Sequence, residues 1–149
     1  MWSRRDFLVT SGASLGLAAC ARTNPTQPAA VEILEPAAET LIGQGAQLET
    51  LAEGFTWAEG PTWDRTRDCL YFTDVPENQA FRWSPAAGLE VFLDPSGAAP
   101  EDIAGLREPG ANGLWYGADD QLYVCNHGTR SIERLNLDDL SRVTLIDRF

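Results

Sequence analysis

Two residues of this 149-residue chain stand out for chemistry: Glu59, set directly before Gly60-Pro61, and Asn112, set directly before Gly113. A carboxylate drawn into a confined setting needs a compensating partner, and a hard cation held by oxygen ligands is the obvious one. Capping the Gly60-Pro61 turn or pairing with an arginine is the other role open to Glu59. Asn112 has the equivalent setting, where an asparagine also favours a turn beside glycine. His127, the sole histidine, has the ring chemistry to shuttle protons near neutral pH, or to serve structurally in its own His127-Gly128 turn. Asp64 and Asp74 follow strand-like segments and are expected to satisfy turn amides rather than bind metal. Outside the signal-like residues 1–20 the chain carries no GxSxG elbow, Walker loop, dinucleotide fingerprint or zinc-type Cys/His spacing. Serine-hydrolase, nucleotide-binding and zinc-finger chemistry are therefore not indicated.

The elements that must position these residues repeat. Gly60 and Gly113 are 53 residues apart, and the pairs Leu70-Tyr71 and Leu122-Tyr123 are 52 apart. Alternating patterns predict strands at 60–64, 70–74, 80–84 and 90–94, and again at 113–117, 122–126, 131–135 and 143–147. Turns are expected at 65–68, 76–78 and 85–88. The long connection Pro95–Gly110 reads as a surface loop, with a helical turn at Pro100–Leu106. Arg82 matches Arg134 across the repeat, a position that speaks for fold rather than chemistry. Four short antiparallel strands per unit of about 50 residues describe a propeller blade, so the fold class is all-β. Two blades cannot close a ring and would expose their packing faces. The chain is therefore expected to be the N-terminal part of a longer protein.

Composition agrees with a globular β-rich region. Hydrophobic residues make up 44%, and five Trp are expected to supply apolar surface to the core. The net charge of −11 leaves no basic stripe for phosphates, so no nucleic-acid partner is expected. Ahead of the repeats, residues 1–20 read as an export signal. Ser3-Arg4-Arg5-Asp6-Phe7-Leu8 resembles a twin-arginine motif, and Val9–Ala19 is an apolar run too short to span a bilayer. Leu17-Ala18-Ala19-Cys20 resembles a lipobox, which makes Cys20 the acylated residue of a bacterial lipoprotein; an ordinary cleaved signal is the alternative. The mature chain is thus expected in the periplasm or anchored to a membrane through Cys20. Residues 21–45 are expected to form a flexible Ala/Pro/Thr-rich tether, with the propeller region spanning 46–149 and a first strand within Gln47–Ala52. Cys69 and Cys125 sit at different heights in the repeat, a stagger too large for a disulfide. Both are expected to be buried and reduced.

Glu59-Gly60-Pro61, Trp63-Asp64 and Leu70-Tyr71-Phe72-Thr73-Asp74, followed by Asn112-Gly113 and Val124-Cys125-Asn126-His127-Gly128, resemble the gluconolactonase/regucalcin family over roughly Leu48 to Phe149. The resemblance implies a six-bladed β-propeller that hydrolyses a sugar lactone with one divalent cation in its channel, most simply Ca2+, with Mg2+, Mn2+ or Zn2+ as alternatives. It implies Glu59 as metal ligand and Asn112 as a substrate-contacting residue. The general base and remaining ligands are expected beyond Phe149, with His127 a weaker candidate for proton transfer. Some members carry an arginine where this chain has Gly110, and Asn126 stands where relatives often have an acid. The complete protein is expected to be a monomer, and this chain alone to be inactive. The alternative is a non-catalytic propeller lipoprotein that binds a sugar or a partner protein.

Overall fold

The structure is a computed structural model that describes residues 29–43 and 45–147. The chain divides into two units, one ending at Glu49 and the other running from Thr50. In the first, strands β1 (Ala29–Ala30) and β2 (Gln47–Leu48) pair antiparallel, and a 3-10 turn spans Pro36–Thr40. Proline at the start of that turn loses no needed amide, since a first-turn N–H has no partner in any case. That turn falls within residues 21–45, the segment expected to be a tether. The strand expected within Gln47–Ala52 is only two residues long, and it pairs with Ala29–Ala30 rather than with the repeats.

The second unit holds two four-stranded antiparallel sheets, each a meander in chain order. The first contains β3 (Ala58–Asp64), β4 (Cys69–Asp74), β5 (Gln79–Ser84) and β6 (Gly88–Leu93). The second contains β7 (Ala111–Tyr116), β8 (Gln121–Asn126), β9 (Ser131–Asn136) and β10 (Arg142–Ile146). Each expected strand is present, and most begin one or two residues earlier than the alternation suggests. The hairpins turn through residues with left-handed backbone, among them Asp68, Asn78 and Asp120, types whose short polar side chains tolerate that region. The connection between the sheets holds a 3-10 turn at Pro100–Asp102, shorter than the turn expected there.

The sheets pack face to face, closest between their first strands β3 and β7. Cys69, Tyr71, Ala80 and Leu93 from the first sheet meet Ala111, Leu122, Val124 and Leu135 from the second. Tryptophan contributes less to this core than composition suggests: Trp57, Trp63 and Trp115 are all exposed. The aromatic ring buried between the sheets is instead that of Tyr71, with Phe92 and Tyr116 packed against the cluster. On the other face of the first sheet, Phe55 packs edge-on against Phe72 and Phe81, with ring centroids 5.0 Å apart in both pairs.

Candidate functional site

Both sheets carry a bulge near the start of their first strand, displaced by one residue between the two. In β3 the pairing shifts between Glu59 and Thr62, and in β7 between Ala111 and Leu114. Ala58 pairs with Asp74 just as Ala111 pairs with Asn126. That register makes Glu59 and Asn112 equivalent positions, each one residue before the glycine of its bulge. A bulge re-aims side chains at the end of a strand, which is why bulges recur at binding sites.

The glycine in the first bulge is obligatory. Gly60 has φ +58, and a Cβ placed there would lie 2.1 Å from the Asn112 carbonyl oxygen and 3.0 Å from the Gly113 Cα. Only a residue without a side chain lets β3 and β7 approach this closely. Thr73, fully buried on β4, completes the junction. Its hydroxyl donates to the carbonyl of Asn112 at 2.9 Å and to that of Glu59 at 3.2 Å. The two candidate residues are thus tied, through their backbones, to one hydroxyl.

The approach to Glu59 is fixed as well. The Asp74 carboxylate, 2% exposed, accepts hydrogen bonds from the amides of Thr56 and Trp57 at 2.8 and 3.0 Å. The Trp57 carbonyl accepts from the Val75 amide. Asp64 likewise accepts from the amides of Thr66 and Arg67. Both aspartates therefore serve turns, as the sequence suggests. Asn112 is anchored from the preceding connection, where the Ser96 hydroxyl accepts from the Ala111 amide at 3.1 Å. Ser96 is held in turn by Arg142, which donates to its carbonyl and to Glu133. Asn126 belongs to this buried group: its side-chain amide donates to Glu133. It is a structural residue here.

Glu59 is half-buried, and among the described residues its carboxylate forms no ion pair. A half-buried carboxylate without a protein cation fits a hard-cation ligand, and the oxygen of the Asn112 amide is of the same hard class. No three His, Cys, Asp or Glu side chains converge among the described residues. A cation that takes six or more oxygens would need further donors besides Glu59. His127 follows β8, in the turn to β9. Its Nδ1 lies 3.0 Å from the Glu108 carbonyl oxygen and 3.5 Å from its carboxylate, and its side chain is half exposed. That ring is tethered to the connecting loop. Cys20 lies outside the described residues.

The opposite end of the inner strands is built from charge. Arg67, in the β3–β4 turn, donates to Asp64 at 3.0 Å and to Asp120, in the β7–β8 turn, at 2.6 Å. The guanidinium and the Tyr116 hydroxyl together hold the Asp120 carboxyl down at about 2. Beside this cluster, an open groove of about 460 Å³ is lined by Trp63, Arg65, Trp115 and Tyr116 among others. Trp63 is four strand residues beyond Glu59, about 13 Å at strand rise, so the groove belongs to the other end.

Cys69 and Cys125 are both free. Cys69 is buried, and burial pushes its thiol pKa up. Cys125 is exposed, against expectation, on the same face of β8 as the half-buried Tyr123. The roles of Thr73, Ser96 and the Glu133–Arg142 pair escaped the sequence reading. Alternation alone places Thr73 on the buried face with Tyr71, and a hydroxyl there was the available signal.

Residues 57–148 match the family described as the SMP-30/Gluconolactonase/LRE-like region. A gluconolactonase from Zymomonas mobilis is 35% identical over 115 residues, which cover 76% of this chain and 32% of the relative. A gluconolactonase structure from Xanthomonas campestris superposes with a TM-score of 0.65 at 26% identity, covering 84% of this chain and 37% of that one. A candidate gluconolactonase solved in a structural-genomics programme gives a TM-score of 0.60 at 30% identity, over 74% and 35% of the two chains. The chain thus spans about a third of the length of the relatives it matches.

Proposed function

Because the chain belongs to the SMP-30/gluconolactonase/LRE-like family, we propose that it forms part of a metal-dependent hydrolase of sugar lactones. In this reading its two sheets are blades of a six-bladed propeller whose channel opens at the Glu59 end. One observation carries the reading. Glu59 and Asn112 occupy corresponding positions beside the bulge glycines of adjacent inner strands, and both backbones converge on one hydroxyl. A repeat that brings a carboxylate and an amide to the same end of neighbouring strands places oxygen groups around one axis.

Within that site Glu59 serves as an anionic ligand for a divalent cation, most simply Ca2+, with Mg2+, Mn2+ or Zn2+ as alternatives. Asn112 orients the lactone through its side-chain amide. The cation supplies Lewis-acid polarisation of the lactone carbonyl and makes a nearby water more acidic. The general base and the remaining ligands come from further blades, so the 149-residue chain alone is inactive. Export follows the amino-terminal features: a twin-arginine signal and lipidation at Cys20 place the protein in the periplasm or at a membrane surface, as a monomer.

The test is hydrolysis of gluconolactone by the intact protein, followed by acid release, with and without a chelator. We expect chelation to abolish turnover and Glu59→Gln to lower kcat/KM at least about 100-fold, the upper end for loss of groups that support a metal. Chelator-insensitive turnover, or wild-type activity in Glu59→Gln, would overturn the metal assignment. Turnover by the isolated 149-residue chain with added Ca2+ would overturn the claim that the site is shared with further blades.

A further inference from the structure

We propose that Thr73 is a positioning residue of the candidate site, whose buried hydroxyl sets the placement of Glu59 relative to Asn112. The proposal rests on the reading of Glu59 as a cation ligand. Three observations carry it. First, the hydroxyl reaches both residues, donating to the Asn112 carbonyl at 2.9 Å and to the Glu59 carbonyl at 3.2 Å. One proton shared between two carbonyls is a three-centre bond, and its position depends on both strands at once. Thr73 pairs with Glu59 in the ladder of its own sheet while bonding across to the other. It therefore fixes the inter-sheet distance at the height of the site.

Second, the junction has no slack. Thr73 is 0% exposed, and Gly60 beside it would place a Cβ 2.1 Å from the Asn112 oxygen that Thr73 holds. The Asn112 carbonyl lies within a bulge, where ladder pairing is interrupted. Buried carbonyls need a partner, and Thr73 supplies it.

Third, the hydroxyl is not a property of the repeat. At the equivalent place on β8, one residue before Asn126, stands Cys125, whose thiol is a weak donor and exposed. Tyr71 and Tyr123 repeat, as do Arg82 and Arg134. Positions that maintain the fold recur, whereas Thr73 is present only in the repeat that carries the carboxylate.

The experiment measures Ca2+ binding to the intact protein by calorimetry, with no lactone present, for wild type, Glu59→Gln, Thr73→Val and Thr73→Ser. Valine keeps the volume and removes the hydroxyl; serine keeps the hydroxyl. We expect Thr73→Val to bind Ca2+ about tenfold or more weakly, the effect of removing a group that orients a ligand. Its metal-free melting point should fall by only about 2–4 °C, and Thr73→Ser should bind within about threefold of wild type. If Glu59→Gln loses binding while Thr73→Val stays within about threefold of wild type, the proposal is overturned and the site reading stands. Equal weakening in Thr73→Ser and Thr73→Val also overturns it, since shape rather than the hydroxyl would then matter. Wild-type Ca2+ affinity in Glu59→Gln brings down the site reading and this proposal together. Should Thr73→Val fail to fold, Thr73→Ala replaces it, read against Thr73→Ser by the same criteria.

Discussion

Tyr71 and Thr73 of β4 and Tyr123 and Cys125 of β8 occupy the same positions of two repeated sheets, yet they live in different surroundings. The first pair is 1% and 0% exposed, because the second sheet covers that face. Tyr123 is half-buried, its ring 5.2 Å from an exposed Trp115, and Cys125 is exposed. Burial here follows from what packs next to a face rather than from the residue type on it. The polar groups differ accordingly. The first sheet uses Thr73 to satisfy a neighbouring backbone. The second encloses Asn126, Ser131, Glu133 and Arg142 on the face it turns toward the first. Two sheets with one plan thus carry unequal tasks: the first contributes the carboxylate and the junction, and the second the amide and its anchor.

The sharpest way to test that inequality is to add the same methyl group to both bulges. Gly60→Ala forces a left-handed backbone on alanine and drives its Cβ into the Asn112 carbonyl. Denaturant unfolding should show a loss on the order of 3–4 kcal/mol, in the range of severe backbone lesions. Gly113→Ala meets nothing nearer than the Cys125 sulfur at 3.5 Å, so its cost should be under about 1 kcal/mol. Equal losses in the two variants would mean that the bulges are interchangeable.

A smaller effect is expected at the other end of the inner strands. Arg67→Ala leaves Asp64, 0% exposed, without its cation, although Thr66 and residue 67 still donate their amides. We expect a loss of about 1–2 kcal/mol, below that of a fully buried pair because Arg67 is itself 28% exposed. No measurable loss would show that the turn amides alone keep Asp64 satisfied. Asp120 extends the same contact into pH. Its folded pKa lies near 2, below its ordinary 3.8, so its stabilisation is complete above that ordinary value and fades as pH falls through about 2. Between about pH 4 and 2 the wild type should lose more stability than Asp120→Asn; parallel pH profiles would remove Arg67 as the cause.

Thiol labelling probes the comparison without altering the fold. In a Cys20→Ala background, a maleimide should modify Cys125 in the native 149-residue chain and reach Cys69 only after denaturation. Burial and a raised pKa both withhold the Cys69 thiolate. Rapid native labelling of Cys69 would show that the two sheets part easily.

Much of this architecture was legible in the sequence. The spacing of Gly60 and Gly113, and of Tyr71 and Tyr123, required two copies of one four-stranded unit, because period-two alternation and turn residues act locally. The same spacing made Glu59 and Asn112 equivalent, and it placed Asp64 and Asp74 at strand ends where turn amides await an acceptor. Sequence gave no account of contacts between the repeats. That Gly60 must be glycine because of the Asn112 carbonyl, that Thr73 bonds both strands and that Cys125 is exposed while Cys69 is not all depend on how one sheet lies against the other. Alternation tells which residues share a face. Only the packed structure decides what that face meets, because hydrogen bonds and steric limits act over a few ångströms between residues distant in the chain.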